Sequence, residues 1–196
     1  MEKFDLYDRN FNKLDKIMIR GGANNPGEYH LVTHIWIKNS QNEYLIQQRN
    51  KLTDRIPYQW ACTGGAATIG DTSLACAVRE TYEELGILIP EDKFTMLKRY
   101  WHDDKKANYI TDLYIVKDDI LLKDLNIDTV EVRDVAYKTM TEIKEMIKEN
   151  KFWDNEYRNK RVGYFDLLEK SWLCESIIYR RCVWNLRPKS LGQVFT

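Results

Sequence analysis

The polar and hydrophobic positions of the chain predict a series of short strands. HLVTHIWI at 30–37 is rich in β-branched and aromatic residues, and EYLIQQR at 43–49 follows it after NSQN, so the two are predicted to form a hairpin. RGGANNPGEY at 20–29 is typical of a loop because it is rich in Gly, Asn and Pro. Further strands are predicted at FDLYD near the start and later at FTMLKRYW, YITDLYIV and VEVRDVAY.

Residues 72–85 have the three- and four-residue spacing of an amphipathic helix. The face predicted to pack on the core consists of Leu74, Val78, Thr81 and Leu85. One of the residues 71–73 can cap the start of this helix, and Gly86 suits its end. A second helix is predicted to begin near TMTEIKEMIKEN, where Thr139 or Thr141 can act as the cap.

A third helical pattern, rich in aromatic residues, covers residues 163–186 and stops before Pro188. Its apolar residues fall on more than one face, which suggests burial on two sides. The helix is therefore expected either to pack on the sheet or to pair with a second copy of the chain in a homodimer. Strands that enclose one helix and precede the others predict an α/β fold, in which helices cover a mixed sheet on both sides.

The composition is that of a soluble domain without a charge bias. The 196 residues fit one domain, and 43 % hydrophobic residues are enough for a core. The 30 basic and 30 acidic residues cancel, so neither nucleic acid nor a membrane is expected as a partner. No apolar run approaches the roughly 20 residues that span a bilayer, and the N-terminus lacks the features of a signal peptide. The chain is expected to be cytoplasmic, with its four cysteines as thiols.

Three glutamates of the first helix are predicted to share one face. Glu80, Glu83 and Glu84 are three or four residues apart, which brings their carboxylates close together. Like charges so close raise each other's pKa and cost stability, but a divalent cation between them reverses the sign of the interaction. Several carboxylate ligands favour Mg²⁺ or Mn²⁺ over zinc. A solvated acidic face is the alternative interpretation of this cluster.

The spacing around these glutamates resembles the Nudix box, G-x5-E-x7-R-E-U-x-E-E-x-G-U, in which U is aliphatic. The chain matches this pattern from Gly65 to Ile87, with Asp71 in place of the first Glu and Thr81 in place of an aliphatic residue. PYQWACTGG resembles the segment before the box, and EVRDVAYKTMTEI resembles a late segment of the family. FDLYDRN, EYHLVTHIWI and LIQQR are similar to the branch that contains isopentenyl-diphosphate isomerase and isomerase-like hydrolases.

The resemblance implies the Nudix α/β/α sandwich, with a mixed β-sheet and an extra C-terminal helix. The chain, 1–196, would form a single Nudix domain with its core at about 30–150, a strand and loop extension at 1–29, and a helical extension at 151–196. The implied activity is hydrolysis of a diphosphate linked to a further group, assisted by Mg²⁺ or Mn²⁺. Nucleoside, sugar, dinucleotide, coenzyme and prenyl diphosphates all stay open as substrates, because specificity lies in loops.

The resemblance also implies a metal site, carried over position by position. Glu80 and Glu84 would be direct metal ligands, and Glu83 would bind the ion directly or through water. Gly65 would offer its carbonyl oxygen to the ion. Asp71 would hold a water molecule of the coordination shell or a second ion. Glu83 and Glu84 would also be catalytic, with Glu83 helping to activate water.

Five further residues are candidates for catalysis or substrate binding. Arg79 of the box would orient a glutamate through a charge-assisted hydrogen bond. Glu131 is the candidate for the additional acid that many relatives carry outside the box, and a surface Glu is the alternative. Arg49 and Lys51 follow a predicted strand and are candidates for binding phosphates, with solvated side chains as the alternative. His30 is a candidate for lining the substrate cleft, although a structural role is favoured.

Two other functions fit parts of the sequence. The isomerase needs a catalytic Cys shortly after a Trp, but counted from Trp60 that position holds Gly65, and Cys62 comes three residues early. The isomerase also usually lacks the complete R-E-x-x-E-E-x-G pattern, so hydrolysis is favoured. A non-catalytic module that binds a diphosphate ligand is the second alternative, and the complete acidic set argues against it.

Overall fold

The computed structural model describes residues 1–50, 57–103, 108–153 and 163–171. Its strands are β1 (Lys3–Tyr7), β2 (Lys13–Ile19), β3 (Tyr29–Lys38), β4 (Glu43–Arg49), β5 (Trp60–Ala61), β6 (Phe94–His102), β7 (Tyr109–Lys117) and β8 (Val132–Thr139). Its helices are α1 (Ser73–Leu85), α2 (Met140–Lys148) and α3 (Tyr164–Lys170), with short 3₁₀ turns at Glu91–Lys93 and Leu122–Asp124. The predicted strands and the first two predicted helices are confirmed.

Strand β3 is the centre of the mixed sheet that the sequence predicts. It pairs in parallel with β7 along its whole length, and β7 pairs antiparallel with β6. On the other edge, β3 pairs with β1 near its start and with β4 only at its end, and β4 continues antiparallel to β8. The middle of this edge is therefore free to pair with the segment at 63–67, where Thr33 N donates to Gly65 O at 2.8 Å. This pairing places the Gly-Gly loop beside α1.

Helix α1 has the predicted caps, and two of its four predicted core residues, Thr81 and Leu85, are buried. The Thr72 side chain accepts from Ala75 N, and Gly86 ends the helix in the left-handed conformation. Leu74 and Val78, predicted as core residues, are only partly buried. The buried residues of the helix are Cys76, Ala77, Thr81, Glu84 and Leu85. Thr81, which stands at an aliphatic position of the motif, is tolerated in the core because its hydroxyl donates to Ala77 O at 2.8 Å.

The N-terminal hairpin of β1 and β2 contains a strand that the sequence pattern does not predict. β2 is antiparallel to β1 and lies at an edge of the sheet. Met18 is its only buried residue. An exposed edge strand lacks the regular alternation that predicts a half-buried strand.

The chain forms two compact units, residues 1–162 and 163–196. α3 belongs to the second unit, and most of the predicted helix at 163–186 lies outside the described residues. The homodimer therefore stays a prediction. None of the helices in the described part of the chain has the length and apolar character needed to cross a membrane.

A buried polar network attaches α1 to the sheet. Asp112 of β7 is fully buried and receives two hydrogen bonds from the Arg99 guanidinium, at 2.6 Å and 2.7 Å. The hydroxyl of Ser73, the first residue of α1, donates to the same carboxylate at 2.5 Å. Tyr114 donates to the Ser73 hydroxyl at 2.9 Å. The network fixes the first turn of α1 over β6 and β7.

We expect the Asp112→Ala substitution to destabilise the protein by about 3–5 kcal/mol, because it leaves the mostly buried Arg99 guanidinium without its carboxylate partner. Chemical denaturation of both proteins measures this difference. The matched control is Asp118→Ala, which removes an exposed partner 4.0 Å from Lys93 and should cost less than about 1 kcal/mol. Equal losses in the two variants would contradict the importance of the buried pair.

Candidate active site

Two adjacent glycines bring the loop before α1 against both β3 and the glutamates. Gly64 has φ 150°, and a Cβ at this position would overlap the backbone oxygen of Thr33. A Cβ on Gly65 would overlap the carboxylate of Glu80. The absence of side chains therefore allows the backbone to approach β3 on one side and leaves room for the Glu80 carboxylate on the other.

Glu84 is a buried carboxylate that faces this loop. It is 5 % exposed, and its Oε2 accepts a hydrogen bond from Gly64 N at 3.0 Å. Burial and the nearby charge of Glu80 raise its pKa to about 8, although the Gly64 amide, the Gln47 side chain and the Arg49 charge act in the opposite direction. Much of its negative charge is thus uncompensated by the protein.

Glu80 belongs with Glu83 and Glu84 to the acidic cluster of α1, and it is also poorly solvated. Its side chain is 12 % exposed, and burial is the main reason that its pKa rises to about 7. The negative charges of Glu83 and Glu131 add to this rise, while Arg79 opposes it. Burial and mutual repulsion thus make the metal-free cluster costly to ionise.

The guanidinium of Arg79 is the main positive group of the cluster. Its Nη1 donates to Glu80 Oε1 and Glu83 Oε2, both at 2.8 Å. Its Nη2 donates to Asp71 Oδ2 at 3.0 Å and to Ala66 O at 3.1 Å. Arg79 therefore makes charge-assisted hydrogen bonds to two glutamates and also ties α1 to the loop that precedes it, while its role in catalysis stays a prediction.

Asp71 contacts Arg79 and its own loop. Besides the Arg79 bonds, its Oδ2 accepts from Thr68 N and from the Thr68 hydroxyl, each at 2.9 Å. A role of Asp71 toward a metal stays a prediction.

Glu83 and Glu131 lie at the more open side of the cluster. The Glu83 side chain is 54 % exposed, and Arg79 is its ion-pair partner. Glu131 precedes β8 and is close enough for its charge to raise the pKa of Glu80. The sequence-based choice of Glu131 therefore selects a residue close to the cluster. The Gly65 carbonyl, predicted as a metal ligand, already accepts from Thr33 N, and its metal role stays a prediction.

The three candidates for substrate binding differ in where they lie relative to the glutamate cluster. Arg49 ends β4, and its charge lowers the pKa of Glu84, so it lies near the cluster. Lys51 lies outside the described residues. His30 is not brought to the glutamates. Thr33, three residues further along β3, faces α1 through a 3.3 Å contact with Cys76. Residues an odd number of positions apart on a strand point to opposite faces, so His30 lies on the face of β3 away from α1.

His30 has the surroundings of a structural residue. Its Nδ1 lies 3.0 Å from Asn108 O, and its ring stacks on Phe4. Burial lowers its pKa to about 4. Its role in lining a substrate cleft therefore gains no support from these contacts.

Two residues of the site were not among the sequence-based candidates. Gly64 donates its amide to Glu84, and the doubled glycine in CTGG is a signal that could have indicated it. Gln47 is 1 % exposed and hydrogen-bonds to Glu84 from β4. Nothing in the pattern of EYLIQQR distinguishes Gln47 from its neighbour Gln48.

The donor set fits a hard divalent cation, although the side chains are not arranged around one. Within the described ranges, no three His, Cys, Asp or Glu side chains form a ready metal site. Arg79 occupies one oxygen of Glu80 and one of Glu83. Glu80 and Glu84 are carboxylates with raised pKa values, so a cation with oxygen ligands, such as Mg²⁺ or Mn²⁺, would relieve their repulsion.

Comparison with known proteins places the chain in a family. The family profile described as "NUDIX domain" matches residues 28–159, which include the glycine loop, α1 and Glu131. The chain belongs to the Nudix family. An uncharacterised Nudix hydrolase of Listeria monocytogenes is 35 % identical over 153 residues, which cover 78 % of this chain and 88 % of the relative. These matches show that the chain is a Nudix hydrolase.

Two plant relatives extend the Nudix comparison. Nudix hydrolase 3 of Arabidopsis thaliana is 31 % identical, and the match covers 97 % of this chain and 25 % of the relative. The chloroplastic isopentenyl-diphosphate Δ-isomerase I of the same plant is 30 % identical, with 61 % of this chain and 46 % of the relative covered. The second match is a weak indication of the predicted isomerase-like branch.

Solved structures confirm the Nudix fold. DR0079 from Deinococcus radiodurans has a TM-score of 0.63 at 17 % identity, covering 80 % of this chain and 94 % of that chain. A bifunctional NMN adenylyltransferase/ADP ribose pyrophosphatase from Francisella tularensis, solved with AMP and a Mn ion, has a TM-score of 0.54 at 15 % identity. It covers 71 % of this chain and 42 % of that chain.

Substitution by Ala is expected to affect stability at Gly64 and activity at Gly65. Gly64→Ala should destabilise the protein by on the order of 1–3 kcal/mol, since its Cβ meets backbone. Gly65→Ala should leave stability nearly unchanged, because the overlapping Glu80 carboxylate ends a flexible side chain that can move, but it should weaken activity and metal binding. Thermal unfolding together with a turnover assay measures both. A fully active Gly65→Ala protein would contradict the proposed closeness of Gly65 and Glu80.

The raised pKa of Glu84 predicts how stability depends on pH. The folded pKa of about 8 lies above the ordinary 4.5, so the folded state keeps a proton that the unfolded state releases. Its contribution to stability is therefore complete below about pH 4.5 and is lost as the pH rises through about 8. In metal-free buffer, Glu84→Gln should lose less Tm over this range than the unmodified protein. The exposed-site control Glu145→Gln should follow the unmodified protein, and parallel curves for all three would contradict the assignment.

Proposed function

We propose that the chain hydrolyses the diphosphate linkage of a nucleoside diphosphate or a related diphosphate-linked compound, with Mg²⁺ or Mn²⁺ as cofactor. The observation that carries the proposal is a pair of carboxylates, the buried Glu84 and the mostly buried Glu80, beside a glycine loop that leaves space for them. Such a pair costs stability in the folded protein unless a cation binds. A diphosphate also needs its negative charge neutralised before a nucleophile can approach.

The proposed binding of the cation divides the roles among the residues of α1. Glu80 and Glu84 would hold it, and Arg79 keeps Glu80 and Glu83 in position. A cation bound there would supply Lewis-acid stabilisation of the charge that develops on the phosphate oxygens. Arg49, whose charge reaches Glu84, would stabilise the incoming phosphates.

The proposed proton acceptor lies on the exposed side of the same helix. A water molecule attacks phosphorus, its proton passes to a carboxylate oxygen of Glu83, and the bond between phosphorus and the bridging oxygen breaks. The 54 % exposure of Glu83 gives it access to water, which the buried Glu84 lacks. Glu131 is the second candidate for this role, because its charge acts on Glu80 from outside α1.

Hydrolysis is supported over isomerisation by the cysteines. Cys62 is 4 % exposed, and the position at which the isomerase would need its Cys holds Gly65. Cys76 is fully buried, and burial raises its pKa to about 12. Neither of these two thiols has the exposure of a reactive cysteine.

We expect Glu84→Gln to lower turnover by on the order of a thousandfold, since it removes a charged ligand that stabilises the transition state through the cation. The assay incubates the protein and Mg²⁺ with nucleoside, sugar, dinucleotide, coenzyme and prenyl diphosphates and identifies the products by mass. Glu145→Gln, which removes an exposed carboxylate of α2, is the matched control and should keep full activity. Full turnover by Glu84→Gln, or ligand binding without turnover in the unmodified protein, would contradict the proposal.

A further inference from the structure

The N-terminal hairpin contacts the loop that precedes the catalytic helix. Ile69 N donates to Lys3 O of β1 at 3.1 Å, and Gly70 N donates to Asp5 Oδ2 at 2.9 Å. The next residue, Asp71, carries the carboxylate that binds Arg79. The loop is therefore held from two directions, by β1 on one side and by the Arg79 guanidinium on the other.

Asp5 is buried and is held in place for its contact with Gly70 by a second partner. It is 6 % exposed, and its Oδ2 also accepts from Lys13 Nζ of β2 at 2.7 Å. Burial disfavours its charged form, but the bonds from Lys13 and Gly70 hold its pKa below the ordinary value. The same carboxylate oxygen thus joins both strands of the hairpin to the loop. Asp5, Lys13, Gly70 and Asp71 line one cavity of about 310 Å³.

We propose that Asp5 is a positioning residue for the active site, which acts through the loop at 69–71 and through Arg79 on Glu80 and Glu83. The inference rests on the proposed function, because it concerns how Glu80 is aimed at a cation and Glu83 at the attacking water. A chain of contacts leads from Asp5 to Gly70, from Asp71 to Arg79, and from Arg79 to both glutamates. The hairpin lies before residue 28, so it is outside the part of the chain matched by the family profile.

The position of α1 itself does not depend on Asp5. Its first residue, Ser73, is bound to the buried Asp112, which is held in turn by Arg99. The loss of Asp5 should therefore release the loop while α1 stays on the sheet. This separation makes a positioning role distinguishable from a contribution to folding.

The chain offers a matched control, Glu28, which precedes β3 and contacts the same hairpin through Lys16. Glu28 is 9 % exposed, pairs with Lys16 of β2 at 2.5 Å and accepts from a backbone amide, that of Asn25, at 3.2 Å. It therefore resembles Asp5 in burial, in its lysine partner and in its amide donor. The amide that it binds belongs to the loop before β3 and not to the loop before α1.

The experiment compares Asp5→Ala, Asp5→Asn and Glu28→Ala, each assayed well below its own Tm. Asp5→Ala should raise the Mg²⁺ concentration for half-maximal activity about tenfold, the size typical of lost outer-shell support. Glu28→Ala should lower the Tm by about as much as Asp5→Ala does, but should leave the Mg²⁺ dependence of activity unchanged. Asp5→Asn keeps an oxygen that accepts from Gly70 N and should restore most of the Mg²⁺ dependence.

Amide hydrogen exchange in the metal-free protein gives a measurement that does not require activity. The amides of Ile69 and Gly70 should exchange faster in Asp5→Ala and keep their rates in Glu28→Ala. Unchanged exchange of Gly70 in Asp5→Ala, or the same Mg²⁺ dependence in Asp5→Ala and Glu28→Ala, would overturn the inference. If the unmodified protein turns over no diphosphate, the proposed function fails, and exchange together with calorimetric Mg²⁺ binding still tests the role of Asp5.

Discussion

The guanidinium of Arg79 holds together three carboxylates that would otherwise repel one another. Asp71, Glu80 and Glu83 each receive a hydrogen bond from it, and a backbone carbonyl receives another. Only a planar group with several fixed donors can reach all of these acceptors at once, so a lysine could not replace it. Burial disfavours the charge of Arg79, but the surrounding carboxylates raise its pKa, and it stays a cation. The loop, the helix and the acidic cluster all depend on this one charge.

Arg79 neutralises only part of the negative charge of the acidic cluster, and the remaining charge makes the cluster suited to binding a cation. Glu84 receives a hydrogen bond from the Gly64 amide, yet burial still raises its pKa to about 8. A protein selected for stability alone would replace such a carboxylate with an apolar side chain. Its presence beside Glu80 means that the metal-free fold gives up stability at this site, which the proposed cation would recover on binding.

Sequence patterns predicted what is local and missed what depends on distant contacts. The caps at Thr72 and Gly86 follow from neighbouring residues and were found. The burial of Glu84 was not, because a helical projection places it on a polar face and cannot show that the loop at 63–67 pairs with β3 and covers it. β2 was missed because an edge strand buries few residues and therefore shows no regular alternation of apolar and polar positions. For His30, alternation along β3 would have placed it opposite Thr33, had the face toward α1 been known.

The Asp at position 71 is explained by the loop in which it lies. Its Oδ2 accepts from the amide and the hydroxyl of Thr68, and these bonds close a tight turn of the loop at 68–71. The same oxygen receives Arg79. A Glu, longer by one methylene, would carry its carboxylate beyond Thr68 and would have to give up the turn or the guanidinium. The shorter side chain therefore suits a loop that β1 holds close, since Asp5 fixes the amide of the residue directly before it. Position 71 and the N-terminal hairpin are thus parts of one arrangement, which sets where Arg79 points.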